Sequence, residues 1–457
     1  MSLELYSIYT VDTDESPEGV KLEGLYVGDY DWLYSDQLAN PSYSSYISLE
    51  SIEQIIRYPI LKKYSKIYLL HDDETIAKDI TEWVQDAGNI EKNSESGQRR
   101  STTLTFENSQ VYKKVISSYY KDEDKKKSGY KYVDKKKSRF NPTLMYDDFQ
   151  SNVKIKIVSR MHWNGKIYEI DEGVFVAHDP KMSESRANKT LTIQFYDKFA
   201  LLDGTISGDG EFEYEIEVGS TIYDAILQLI RLPKNKTGQP FDLKDINFPA
   251  KYRDLTLAYT IKKTGENAIG ELIKEMCQSI SCDVGYDAHG ILTISDTLAD
   301  MDPHYRQVAW TFKQDEYDNP SLDIKRSQIK NRIVVIGNNI NGFLCRGAAE
   351  NTDPNSLYSV YGPFGVRSQK ITDNLIPSNK MCEERAKYEL QKSMRNYVTL
   401  TFQCPWIPHL EPGDIIRWTK EDWDIIGEEF VVNSISTPFS SKDFMSITAT
   451  NLKEISQ

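Results

Sequence analysis

Residues 96–109 read SGQRRSTTLTFENS, and the fold turns on how their second half is read. Leu104 and Phe106 alternate with Thr103, Thr105 and Glu107, which is the period of two of a half-buried strand. The same short text returns in KTLTIQFYDKF (189–199) and in YVTLTFQCP (397–405), and a cousin, SITATNL, stands at 446–452. Regions 65–200 and 305–455 therefore both read as short antiparallel strands that finish in a Thr-rich alternating one. That pattern suggests duplication of one β-barrel unit.

Working outward, 65–70 and 76–84 read as strands around the acidic turn Asp72-Asp73-Glu74, and Asn164-Gly165 marks a hairpin. Between about 208 and 302 the period changes to that of helices. Ser220 is placed to cap a helix whose stripe is Ile222, Ala225, Ile226, Leu229 and Ile230. A second helix is expected from near Thr264, with Ala268, Ile269, Leu272, Ile273, Met276 and Ile280 on one side. A hairpin turning at 287–290 follows it, so this stretch makes a compact α+β insert. The last third returns to strands at 308–312, 332–336, 398–404, 415–419, 429–435 and 445–451, with Pro412-Gly413 as a tight turn. One helix, from Ser378 to about Asn396, interrupts them with a narrow stripe of Cys382, Ala386, Leu390 and Met394. Near the start, Ile52, Ile55 and Ile56 share a helical face that Pro59 ends. The expected division is 1–205, an N-terminal region with the first β unit; 206–302, the α+β insert; and 303–457, the second β unit.

With 457 residues the chain exceeds what one core supports. Its 39% hydrophobic and 27% charged residues describe a folded protein. It lacks an apolar run long enough to span a bilayer, so no membrane insertion is expected, and its first residues do not read as a secretory signal. Five scattered cysteines suit reduced thiols. Tyrosine is abundant, at 29, and favours strands and interfaces. The net charge of −14 is uneven: residues 113–139 hold eleven Lys/Arg against four Asp/Glu, so the remainder stands at −21. A body this acidic repels nucleic acid. On composition the basic stretch is a solvated insertion between two strands. Its sign also fits an electrostatic dock for an acidic neighbour, through Lys125, Lys126, Lys127, Lys135, Lys136 and Lys137.

Catalytic constellations are missing from the text. The six histidines (His71, His162, His178, His289, His304 and His409) do not pair at ligand spacing, and neither zinc motifs, a P-loop nor a nucleophile elbow occurs. Cys277 and Cys404 fall on apolar stripes, where thiols are inert. The acidic stretch 203–213 lacks calcium-loop spacing and reads as a turn. No catalytic residue, metal site or cofactor is expected, and the chain reads as an assembly protein rather than an enzyme.

Five weaker motifs come in a fixed order: ESGQRRSTTLTFEN, IYEIDEGVFVAHDPKMSE with TLTIQFYDKFALLDG, GSTIYDAILQLI, GENAIGELIKEMCQSISCDVGYDAHGILTISD, and EERAKYELQKSMRNYVTLTF with LEPGDIIRW. In that order the chain resembles the central hub proteins of phage tail baseplates, especially those of phages infecting Gram-positive hosts. The likeness runs from about residue 75 to the C-terminus. It implies a mainly β fold with two tail-tube-like antiparallel β-barrel domains and a smaller α+β domain. It also implies a homotrimer whose six barrels form a pseudo-hexameric ring between the tail tube, or distal tail ring protein, and the central spike. The tape measure protein is a further implied partner, and DNA passes the lumen without specific binding. The implied location is the virion's tail baseplate, after assembly in the host bacterial cytoplasm. Some hubs carry a C-terminal wall hydrolase; here the text ends just after its last strand, so wall cleavage is expected from another subunit. The alternatives are a tail-associated cell-wall hydrolase, or a glycan-binding receptor-recognition protein using Tyr26, Tyr30, Trp32 and Tyr34.

Overall fold

The computed structural model describes residues 9–11, 62–94, 97–107, 153–163, 166–184, 189–208, 214–233, 238–257, 260–263, 268–296, 307–340, 342–395, 398–440 and 443–452. The helix expected at 49–58, the aromatic cluster at 26–34 and the basic stretch 113–139 lie outside them.

The first strand-rich region contains β1 (Tyr9–Val11), β2 (Lys62–Leu70), β3 (Ile76–Asp79), β4 (Val84–Ala87), β5 (Ile90–Asn93), β6 (Arg100–Glu107), β7 (Lys154–Trp163), β8 (Lys166–Glu184) and β9 (Lys189–Asp197). The opening stretch is β6. Its Leu104 and Phe106 are fully buried, and they pair across to Ile193 and Leu191 of β9. On the opposite face the Thr105 and Thr192 hydroxyls meet at 3.1 Å. β7 and β8 pair up to Trp163 and Lys166, so the Asn164-Gly165 connection has the expected two residues. The backbone of β8 turns left-handed at Gly173 (φ +153°), where a Cβ would meet the Phe175 ring at 2.8 Å.

The insert holds β10 (Tyr214–Ile216), α1 (Ile222–Ile230), β11 (Ile261–Lys263), α2 (Ile269–Ser279), β12 (Cys282–Tyr286) and β13 (Leu292–Asp296). The stripe expected for α1 is entirely buried. Its cap is Thr221 rather than Ser220: the Thr221 hydroxyl accepts the Asp224 N–H at 3.0 Å and donates to the Asp224 carboxylate at 2.7 Å. Among the described residues the second helix starts at Ile269, later than Thr264. The hairpin turns where expected, with the Asp287 carboxylate accepting the N–H groups of His289 and Ile291.

The last region contains β14 (Val308–Phe312), β15 (Asp318–Ile324), β16 (Arg332–Ile340), β17 (Phe343–Glu350), β18 (Ser368–Thr372), α3 (Asn379–Arg395), β19 (Val398–Cys404), β20 (Ile415–Lys420), β21 (Ile425–Thr437) and β22 (Met445–Asn451). Here β19 pairs with β22 as β6 does with β9. Leu400 and Phe402 point inward, and the Thr401 and Thr448 hydroxyls meet at 3.4 Å outside. The repeated Thr-Leu-Thr text is thus one device used twice: apolar residues into a core, threonines paired across the outer face.

Two departures from the expectation matter. The pairings of the described residues close neither half into its own barrel. One fifteen-stranded sheet runs β15-β19-β22-β21-β5-β6-β9-β8-β7-β2-β3, with β14 and β20 branching at β21, β4 on β6 and β1 on β8. The two halves fuse where β21 pairs with β5, from Ser434 opposite Asn93 to Thr437 opposite Ile90. Second, β16 does not join that sheet. With β17 and β18 it forms a three-stranded sheet against α3, around a core of Ile333, Val335, Ile376, Cys382 and Ala386. The narrow helical stripe read from the sequence is this small core.

Candidate assembly surface

The chemistry of the described residues is that of joints. At the fusion of the two halves, Glu172 of β8 is fully buried, with Lys92 Nζ at 2.9 Å and the Ser159 hydroxyl donating at 2.6 Å. Lys92 also reaches the half-buried Glu411 at 2.8 Å, and Arg100 grips the same carboxylate at 2.7 Å. Lys63 donates to the Pro438 carbonyl at 2.6 Å and lies 4.2 Å from the centre of the Trp406 ring. Burial alone would raise the Glu172 carboxyl, but Lys92 and Lys63 outweigh it and hold the pKa at about 2. Lys63 bears the cost of its own burial, and its pKa falls to about 7.

A second cluster joins the first half to the insert. The buried Lys198 ammonium contacts Glu74 and Asp242, each at 2.7 Å, and donates to the Gly290 carbonyl at 2.8 Å. Glu74, in the β2–β3 turn, also takes Lys154 at 2.7 Å and Lys244 at 2.8 Å. Against burial, Lys198 and Lys154 bring its pKa down to about 2. Beside it, Asp171 accepts Lys156 and the His289 ring, and that hydrogen bond raises the His289 pKa. Glu74, Asp171 and Asp242 are satisfied by partners from other elements, which makes them fixed struts rather than acids or bases awaiting a substrate.

Cys277, Cys404, His409 and the acidic turn are accounted for in the same way, whereas His304 lies outside the described residues. Cys277 and Cys404 are buried, and burial pushes both thiols up. The buried His409 ring has a pKa lowered to about 4 and donates from Nε2 to the Ala309 carbonyl at 3.1 Å. Asp203 accepts from Thr205 N–H and from Gln98, an ordinary turn. Among the described residues no group of His, Cys, Asp and Glu is placed to hold a metal, and no helix is long and apolar enough to cross a membrane. The six lysines proposed for docking lie outside the described residues.

Contact surface is offered instead at the two ends of the sheet. All four residues of edge strand β3 are exposed. The other edge, β15, is mostly exposed and ends in Ile324. Next to that end, the 351–367 loop exposes Leu357, Val366 and Tyr361, the last at 81%. The loop is firmly built. Asn331 donates to the Tyr358 and Gly365 carbonyls and accepts from Arg367 N–H, while the Arg367 guanidinium donates to the Arg326 carbonyl at 2.8 Å. Tyr358 is sunk into the core and packs on Phe364 at 5.2 Å. Neither joint nor this loop could be found in the sequence: Lys92 and Glu411 are 319 residues apart, and isolated Lys and Glu read as surface.

No family model matches the sequence, and no curated protein matches it. Solved structures do. One is the tail protein from Neisseria meningitidis MC58, at 11% identity and a TM-score of 0.51, covering 86% of this chain and 97% of that one. Another is the 43 kDa tail protein of prophage MuSo2 from Shewanella oneidensis, at 13% identity and a TM-score of 0.50, covering 85% and 98%. This chain therefore has the mainly β, tail-protein fold that the order of its sequence motifs anticipates.

Proposed function

We propose that the chain is a structural hub of a phage tail baseplate, with its three parts, 1–205, 206–302 and 303–457, acting as tube-like unit, insert and tube-like unit. The observation that carries this is the fusion of two Thr-paired half-sheets, one after the other, into a single sheet whose path ends, among the described residues, at β3 and β15. Free edges invite pairing, and a heterologous contact repeated around an axis removes them if the ring closes. Three copies supply six half-sheets, which suits a joint between a sixfold tube, or distal tail ring protein, and a threefold central spike. The tape measure protein and DNA would occupy the lumen during assembly and ejection, DNA without specific binding, since the body outside 113–139 carries −21. Assembly would take place in the host bacterial cytoplasm, and the basic stretch would dock on an acidic neighbour. Imaging an intact tail tip tests this. Three copies around the axis, with carboxylates outnumbering Lys and Arg on the inner wall, are expected. Six copies, one off-axis copy, or a lumen lined mainly by Lys and Arg overturn it.

A further inference from the structure

We propose that the β20–β21 hairpin tip of one copy receives the Lys-rich segment 113–139 of the next copy, forming the charged seam of the ring. The seam rests on the trimeric reading above. The tip, residues 420–429, reads KEDWDIIGEE, five carboxylates against one lysine. Lys420 pairs with Asp422 at 3.1 Å, and Glu429 pairs with Arg417 at 3.0 Å. Glu421, Asp424 and Glu428 have no ion-pair partner among the described residues. Between these acids stand two apolar side chains: Ile426 is 72% exposed and Trp423 is 39% exposed.

A surface of this kind is useful for docking only if it is held in shape, and this one is. Asp424 adopts left-handed φ (+54°) and Gly427 does too (+65°), closing a tight tip. The Trp423 ring lies 5.8 Å from Trp418, which is buried in the aromatic core, and Glu421 N–H donates to the Gln314 side chain. Little ordering is left for a partner to impose.

The segment is the chemical complement of this tip. It carries +7 and contains Tyr119, Tyr120, Tyr130 and Tyr132. Its ammonium groups suit the three unpaired carboxylates and the Trp423 face, and its tyrosines suit Ile426. The topology favours a neighbour's tip over its own. β21 leads away from the tip for 13 residues before its fusion with β5, and β6 continues in the same direction to Glu107, the last described residue before the segment. At about 3.3 Å per residue that separates tip and departure point by on the order of 50 Å. Downstream of the segment the chain enters β7, where Lys154 holds Glu74 of the β2–β3 turn, beside β3, the end of the sheet among the described residues. The tip belongs to the half that ends at the opposite edge, on the β20 branch of β21, and Tyr317, just before β15, packs on Trp418 beneath it at 4.9 Å. A head-to-tail ring brings those two edges, and so the two charges, together.

The test is zero-length carbodiimide cross-linking of the full-length chain, mixed in heavy- and light-isotope forms, at low and high salt. Mixed-isotope links between Lys125–127 or Lys135–137 and Glu421, Asp424 or Glu428 are expected, fading as salt screens the seam. Glu421→Lys/Glu428→Lys should remove them and weaken self-association roughly tenfold at low salt, by analogy with exposed charge pairs. Adding Lys125→Glu/Lys126→Glu/Lys127→Glu to that variant should restore self-association. Links confined to one isotope form, links to other carboxylates, the absence of any link, or failure of the restoration would overturn the seam. The mass of the oligomer in the same samples separates the two ideas: trimers linked elsewhere sink the seam alone, whereas an assembled tail without trimers sinks the ring.

Discussion

The two half-sheets share a device but fill their interiors differently. The second packs aromatics: Trp310, Phe312, Phe402, Trp406, Trp418 and Phe430 share one core, and Arg385 is the only buried charged residue of that half among the described residues. The first has a smaller aliphatic and aromatic core and, beside it, buried Lys92, Arg100, Glu172, Asp197 and Lys198. The difference follows position. The first half is flanked by the second at β5 and by the insert at Glu74, so its charges are surface charges that two neighbours have covered. The second half meets the first along β21 and at Glu411, Trp406 and Pro438, and what the first half adds to its core is apolar or aromatic, Met161 and Tyr168, so its interior can be dry. Buried ion pairs are weak contributors to stability but strong enforcers of who sits against whom.

Glu172→Ala probes that distinction with the largest effect. It leaves the buried Lys92 with only the half-buried Glu411 as a carboxylate partner, so a loss of about 3–5 kcal/mol is expected, seen as an earlier thermal transition. Replacing both partners, Lys92→Met/Glu172→Met, should cost far less than the single change. A double variant as unstable as Glu172→Ala would mean that the pair itself, and not the stranded charge, holds the joint. Acid titration makes the same point without mutation. The Glu172 carboxyl sits at about 2 in the fold, against an ordinary value of 4.5 when unfolded. A lowered carboxylate stabilises fully above 4.5 and stops doing so as pH falls through 2. In that window the first half should lose on the order of 3 kcal/mol and open earlier by hydrogen exchange, while the aromatic half stays protected.

Phe430→Leu is the counterpart in the second half. The side chain is fully buried among rings, 6.3 Å from Trp418, yet remains apolar after the change. About 1–1.5 kcal/mol of destabilisation is expected, with no dependence on pH between 3 and 7, as repacking without charge predicts. A pH-dependent loss there would erase the contrast between the halves.

The parts of the fold that were legible in the sequence are those whose physics is local. Leu104 and Phe106 in β6, Leu400 and Phe402 in β19, and the stripe from Ile222 to Ile230 announce their faces by period alone. The cap was misassigned by one residue because Ser220 and Thr221 both carry a hydroxyl, and only backbone direction decides between them. The fusion at β21 and β5 was not legible, since Ser434–Thr437 and Ile90–Asn93 carry no mark of each other. Nor was the separate sheet of β16: Ile333 and Val335 alternate as any half-buried strand does, and only the partner helix distinguishes them. Of the candidate surface, the basic segment is visible as charge, whereas the acidic tip becomes a proposed counterpart only once the topology places it in the half that ends at β15.

Lys63→Met is expected to cost the least stability, and it tests the comparison most closely. Lys63 is buried at the joint, facing Glu172 and Lys92, with its ammonium on the Pro438 carbonyl and over Trp406. Its pKa is lowered to about 7 from 10.5, so the fold disfavours the charged form. The sign follows: the penalty is fully present below 7, and it fades as pH rises towards the unfolded value. Methionine removes the penalty but leaves the Pro438 carbonyl without its donor, a loss of about 1–2 kcal/mol that offsets only part of the gain. Near pH 6 the variant should therefore be the more stable, by on the order of 3 kcal/mol. Towards pH 10 the parent should overtake it, because the neutral amine still donates to Pro438 without any charge to desolvate. A Lys63→Met variant that is destabilised by 3 kcal/mol or more at pH 6 would show that the ammonium is a working member of the ion cluster. The first half would then depend on its charges at every site rather than only at Glu172 and Lys92.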